Sequence, residues 1–137
     1  MLSVHMADQN NEQTRELFFV SAERLLLHLQ DKIFIKDENL VYRGASTKFA
    51  NMAGWESAAD LIGKTDFEIF KDQKLAQRYR DDDLKLIANQ RDLLNYVEPI
   101  TEKDGHARFA TTSKFVLKDE SGKFIGIAGL SRDITNE

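Results

Sequence analysis

Cysteine is absent from this 137-residue chain, and that absence removes disulfides, thiolate nucleophiles, thiolate metal sites and cysteinyl chromophore adducts together. Histidine is scarce. His5, His28 and His106 fall in a tail, near a helix end and in a turn, with no second ligand at helical spacing, so no metal site is expected. No apolar run approaches membrane-spanning length and the start carries no secretory signal, so a cytoplasmic segment without membrane contact is expected. The net charge is −4 with no Lys/Arg cluster, which gives no electrostatic reason to hold nucleic acid, and none is expected as a partner. The single proline, Pro99, cannot donate a ladder hydrogen bond and marks an edge strand or bulge.

What is present organises itself from the last third. Leu93 to Thr135 reads as two hairpins closed at Asp104-Gly105 and Ser121-Gly122. Phe109, Thr111, Ser113, Phe115 and Leu117 share one strand parity, and Ala110, Thr112, Lys114 and Val116 the other. Neither parity is purely polar, so both faces are expected to meet protein. At the other end, Asn10 to Gln30 has helical spacing through Phe18, Ala22, Leu25 and Leu29, widened by Leu17, Val20, Leu26 and Leu27. That is more apolar surface than one face needs. The helix either packs on its own sheet, or is shared across a homodimer, or does both. Residues before Asn10 are expected to be disordered.

Between these ends, Asp31 to Ala45 reads as a hairpin of Ile33-Phe34-Ile35-Lys36 and Leu40-Val41-Tyr42-Arg43. Ser46 caps a short helix ended by Gly54, and Trp55 beyond it is read as a core clamp, with ligand stacking as the alternative. Ser57 to Gly63 is another helical turn. Thr65 or Asp66 caps Phe67 to Phe70, and Asp72 caps a longer helix from Gln73 to Asn89. Leu75, Tyr79, Leu84, Leu86 and Ile87 form that helix's apolar stripe, with Arg78, Arg80, Asp81, Asp82, Asp83 and Lys85 expected mostly in water. Consecutive helix positions diverge by ~100°, so the Asp81-Asp82-Asp83 run is not expected to converge on a metal. Strands at both ends with helices between them indicate an α+β domain, an antiparallel sheet with helices on one face.

In this order and spacing the chain resembles a PAS domain, the sensory-box module of bacterial signal-transduction proteins. The resemblance spans Asp31 to Thr135 and rests on Ile33 to Asp37, Phe49 through Gly54-Trp55, Leu61 to Phe70, Lys103-Asp104-Gly105, Gly122 through Gly129, and Arg132-Asp133-Ile134-Thr135. It implies a five-stranded antiparallel sheet in the order 2-1-5-4-3 with short helices on one face and a flanking N-terminal helix. Residues 1–30 then form a tail and a flanking or dimerisation helix. Residues 31–137 form the sensory domain, ending at a junction, Asp133 and Thr135, to an output module of a two-component system, a histidine kinase or a diguanylate cyclase. Departures from the family limit its chemistry. Asp66 stands where flavin photosensors carry their reactive cysteine, and the long helix has no histidine for haem. No cofactor is expected, which leaves an unknown small metabolite.

The family's inward strand parity, carried over, points Phe34 and Lys36, then Glu98 and Ile100, then Ala110, Thr112 and Lys114, then Phe124, Gly126 and Ala128 into a pocket. Lys36, Glu98 and Lys114 share that face, and enclosed charges must be paired or ligated. The expectation is a Glu98–Lys114 pair and a small acidic or polar ligand approached by Lys36, Thr112, Tyr42 and Tyr79. The alternative is a structural Glu98–Lys114 bridge with Lys36 extended to solvent. The chain is therefore expected to be a non-catalytic sensory and dimerisation module, with a ligand-free interaction module as the rival. A remoter rival is a small enzyme using Glu98 or Asp66, for which no nucleophile or base is placed.

Overall fold

In the computed structural model, backbone is described for residues 2–101 and 107–134 and side chains for 12–97 and 109–134. The β-branched stretch after Asp31 forms β1 (Lys32–Asp37), and Asp37 closes the hairpin by accepting the N–H groups of Asn39 and Val41. Leu40 sits in that turn at φ 59° and is buried, so β2 (Tyr42–Ala45) starts two residues later than the apolar pattern predicts. Ser46 is fully buried. Its hydroxyl accepts from Ile33 and Phe49 N–H and donates to the Asp31 carbonyl, which welds the start of α2 (Thr47–Met52) to β1.

A 3-10 turn (Ala58–Leu61) and α3 (Asp66–Ile69) follow, each opened by a capping box, Ser57 with Asp60 and Thr65 with Glu68. Thr65, not Asp66, therefore stands at the cap. Asp72 caps α4 (Gln73–Asn89) by accepting from Lys74 and Leu75 N–H, and Gln90 ends it in the left-handed conformation at φ 52°. β3 (Leu93–Thr101), β4 (Ala107–Lys118) and β5 (Phe124–Asp133) complete an antiparallel sheet in the order β2-β1-β5-β4-β3. Pro99 lies on β3, an edge strand. The Asp104-Gly105 turn falls outside the described residues.

Helices pack on both faces of the sheet, while Leu94, Tyr96 and Val97 on β3 and Phe109 on β4 stay about half exposed. On the inner face α2, the 3-10 turn, α3 and α4 enclose Tyr42, Ala45, Phe49, Leu61, Ile69 and Phe70, with Leu40, Leu86 and Ile127 beside them. On the outer face lies α1 (Leu2–Leu26), which begins earlier than the apolar pattern and replaces the disorder expected before Asn10. Phe19, Ala22 and Leu26 of α1 pack on Ile33, Ile35, Leu117 and Ala128. Gly44 permits this approach, since a Cβ there would stand 3.2 Å from the Leu26 side chain and 3.3 Å from the Glu23 backbone. Among the described residues no helix is long and apolar enough to cross a membrane.

Candidate functional site

Four elements of the inner face converge on one ammonium group. Lys36 of β1 is 1% exposed, and its Nζ donates to Asp66 Oδ2 at 2.7 Å and to Asp83 Oδ2 at 2.6 Å. The Tyr42 hydroxyl of β2 donates to the other Asp66 oxygen at 2.5 Å. The same Nζ lies 5.0 Å from the Phe34 ring centre and 4.8 Å from that of Tyr42, which is the reach of a cation–π contact. Asp66 and Asp83 are themselves buried, so one buried cation stands between two buried carboxylates. Taking charges out of water is repaid only when geometry and hydrogen bonding are close to complete. Burial pushes the Asp83 carboxyl up, opposed first by Lys36; the charge of Asp66 adds to the rise and that of Lys114 opposes it. The Tyr42 hydroxyl is held well above its ordinary range, by burial first and then by the charge of Asp66.

This geometry corrects three expectations. Lys36 does not extend to solvent, because two aspartates neutralise it inside the fold. Asp83 does not face water: it lies seven residues after Ala76 and three before Leu86, on the buried stripe of α4, whereas Asp81 and Asp82 are exposed. Leu84 leaves the stripe and is largely exposed. Asp66 and Asp83 are thus the two site residues that the strand-parity reading missed. Helical spacing within the apolar stripe was the signal for Asp83, masked by its two acidic neighbours. Asp66 was hidden by its resemblance to a cap.

The inward parity holds for β4 and, on β5, for Phe124, which packs with Leu40, Leu86 and Ile127, but fails for Gly126 and Ala128. Ala110 and Thr112 are buried on the inner side and Lys114 is half-buried there, opposite Gly129. Ile127 pairs with Lys36 and Ala128 with Ile35, so Ile127 looks inward while Ala128 joins α1 on the outer face, and Gly126 follows Ala128. A register shift between Leu117 and Lys118 puts Phe124 out of phase with the rest of β5, and a one-residue slip exchanges the faces. Gly129 is where the inner face needs no side chain, since a Cβ would stand 2.2 Å from the Phe34 ring.

The remaining candidates scatter. Trp55 donates from Nε1 to the Ile69 carbonyl at 3.0 Å, which makes it the clamp between α2 and α3. Tyr79 packs its ring on Phe70 at 5.1 Å. Glu98 pairs in register with Ala110, whereas Lys114 is opposite Leu93, so the expected Glu98–Lys114 pair is not a cross-strand neighbour pair. The side chains of Glu98 and Ile100, and all of Thr135, fall outside the described residues. Asp133 ends β5 opposite Ala110. Of the expected dimer residues, Ala22 faces its own sheet, whereas Phe18, Leu25 and Leu29 are 40%, 62% and 41% exposed.

An open cleft of about 550 Å³ lies between α1 and the β1–β2 hairpin, lined by Glu12, Arg15, Glu16, Asp37, Glu38 and Arg43 among others. Both of its arginines are paired. Arg15 meets Glu38 at 3.3 Å, and Arg43 meets Glu16 and, at 3.7 Å, Asp37 while stacking over Phe19 at 4.7 Å. The Arg43 hydrogen bond holds the Glu16 carboxyl below its ordinary value.

A family model described as the PAS fold matches residues 26–137. No curated protein matches the chain. Among solved structures, the VqmA–ligand–DNA complex of Vibrio cholerae is 25% identical with a TM-score of 0.65, over 82% of this chain and 50% of that one. The PAS domain of Bordetella pertussis BvgS is 21% identical with a TM-score of 0.66, over 89% and 88% of the two chains. A sensory box sensor histidine kinase of Vibrio cholerae is 14% identical with a TM-score of 0.59, over 93% and 98%. The chain thus spans about half the length of the VqmA structures it matches. VqmA, solved with DNA, also corrects the exclusion of nucleic acid: that exclusion rested on the net charge of this segment, which says nothing of a DNA-contacting surface elsewhere in a longer chain. The family match over residues 26–137 and the 2-1-5-4-3 sheet give one conclusion: the chain belongs to the PAS family.

Proposed function

We propose that this PAS domain is the non-catalytic, cofactor-free, cytoplasmic sensory module of a larger signalling protein, and that it works as a homodimer held through α1. The observation that carries this reading is the two-sidedness of α1. Phe19 and Leu26 are buried on the sheet, while Leu17, Phe18, Val20 and Leu25 on its other side are 38–65% exposed. A single helix with an apolar stripe left in water after docking is a surface for association. The output we favour is DNA binding by a segment outside this chain, supported by the 25% identity to VqmA, ahead of a kinase or a cyclase. Input then acts by shifting the balance between dimer arrangements, which requires unequal binding to the two. Sedimentation velocity tests the dimer. Leu25→Glu is expected to leave the circular dichroism spectrum unchanged and to give monomers; a dimer surviving both Leu25→Glu and Phe18→Glu overturns it.

A second reading, sensing of a small cytosolic ligand, is supported by Lys114, half-buried on the inner side of β4 and outside the hydrogen-bonding partners of Lys36. Native mass spectrometry of the purified protein is expected to show a retained small mass that Lys114→Ala loses; an empty wild-type domain removes this reading.

A further inference from the structure

A primary ammonium held by two carboxylates and two ring faces is the arrangement by which proteins bind amines. Here the amine belongs to the chain. The aspartates come from α3 and α4, the rings from β1 and β2, and the ammonium, both carboxylates and the Tyr42 ring are closed to water while Phe34 is partly buried. Each of its parts is independently supported by the fold: Asp66 begins α3 behind the Thr65 cap, Asp83 lies on the buried stripe of α4, and Phe34 and Tyr42 pack on one another with ring centres 6.0 Å apart. The lysine reaches it from the strand floor. We propose that the inner face carries a primary-ammonium binding site which the chain fills with its own Lys36 side chain, a tethered ligand that fastens α3 and α4 to the sheet.

Two consequences distinguish this site from an ordinary buried ion pair. The receptor exists without the tether, because its carboxylates and rings are positioned by three other elements and by Phe34, whose ring packs on Phe49 at 5.3 Å. The ligand class is also fixed: an unbranched alkylammonium, since the tether is four methylenes ending in –NH3+, and the anionic balance of two carboxylates to one ammonium rejects neutral and anionic compounds of the same shape. Removing the tether should therefore convert an intramolecular contact into a bimolecular one with measurable affinity.

Lys36→Ala deletes the part of the side chain that n-propylammonium replaces atom for atom. The unfolding temperature of this variant is expected to rise with n-propylammonium chloride, by about 5 °C at ten times the dissociation constant and logarithmically with concentration beyond it. Equal concentrations of n-propanol or sodium chloride should leave it unmoved, and wild type should not respond. Lys36→Ala/Asp66→Asn/Asp83→Asn should fold and lose the amine response. An equal rise with propanol, an equal rise in wild type, a rise in the triple variant, or no rise at all overturns the proposal. If Lys36→Ala fails to fold at every amine concentration, Lys36→Met decides. The proposal expects it to be less stable than Lys36→Met/Asp66→Asn/Asp83→Asn, and equal or greater stability overturns it.

Discussion

On the inner face of the sheet, Lys36, Asp66 and Asp83 meet at 2.6–2.7 Å out of reach of water; on the outer face, Arg43, Glu16, Arg15 and Glu38 meet around an open cleft. The same two chemistries, ammonium or guanidinium with carboxylate, have opposite consequences in the two places. Burial is the leading influence on Asp83 and raises its carboxyl, while the Arg43 hydrogen bond leads at Glu16 and lowers it. A carboxylate that stays hydrated keeps most of its solvation and gains a partner. One that is sealed in depends on its partner to remain charged.

That contrast is most sharply broken at Lys36. Lys36→Met leaves two carboxylates sealed without a cation and is expected to lower stability by about 3–5 kcal/mol at neutral pH, read by urea unfolding; a loss below about 1 kcal/mol would make the inner cluster no different from the outer one. Next comes the division of α1 into two sides. Phe19→Ala, which empties a buried site under the helix, is expected to cost about 3 kcal/mol or more, whereas Phe18→Ala on the exposed side should stay within about 1 kcal/mol.

The pH dependence differs in sign between the faces. Asp83 binds its proton more tightly folded than unfolded, so its contribution is full below its ordinary 3.8 and is lost as pH rises through the raised folded value. Glu16 is the reverse: its contribution is present above its ordinary 4.5 and is lost as pH falls through the lowered folded value. Urea midpoints followed from acid to neutral pH should lose part of their fall toward neutral pH in Asp83→Asn and part of their rise from acid pH in Glu16→Gln; identical changes in both variants would erase the distinction. The smallest effect is expected at Arg43→Ala. Its surface pairs are worth about 0–1 kcal/mol and should fade in high salt, which a salt series on wild type and variant measures.

Much of this arrangement is legible in the amino-acid order, because it rests on local rules. Ser46, Thr65 with Glu68, and Asp72 stand where caps must stand, and α4 runs from Gln73 to Asn89 as its spacing predicts. Phe34 and Lys36 share the inner parity, as alternation requires. The partners of Lys36 were not legible. They lie 30 and 47 residues away along the chain, on two helices whose rotation about their axes depends on packing against the sheet. The faces of β5 escaped for a related reason: the register shift near Phe124 reverses the alternation, and no local residue preference announces it.

By itself, then, the sequence determined where the capped helices α2, α3 and α4 begin, that no thiol chemistry is possible, and that a lysine must be accommodated on the inner face of the sheet. Tertiary structure decided what accommodates it. Local propensity acts over a few residues and is satisfied by caps and alternation, whereas the desolvation of a buried charge is a property of everything that surrounds it. Only the closed fold brings Asp66 and Asp83 to Lys36, and only there do their charges become a site.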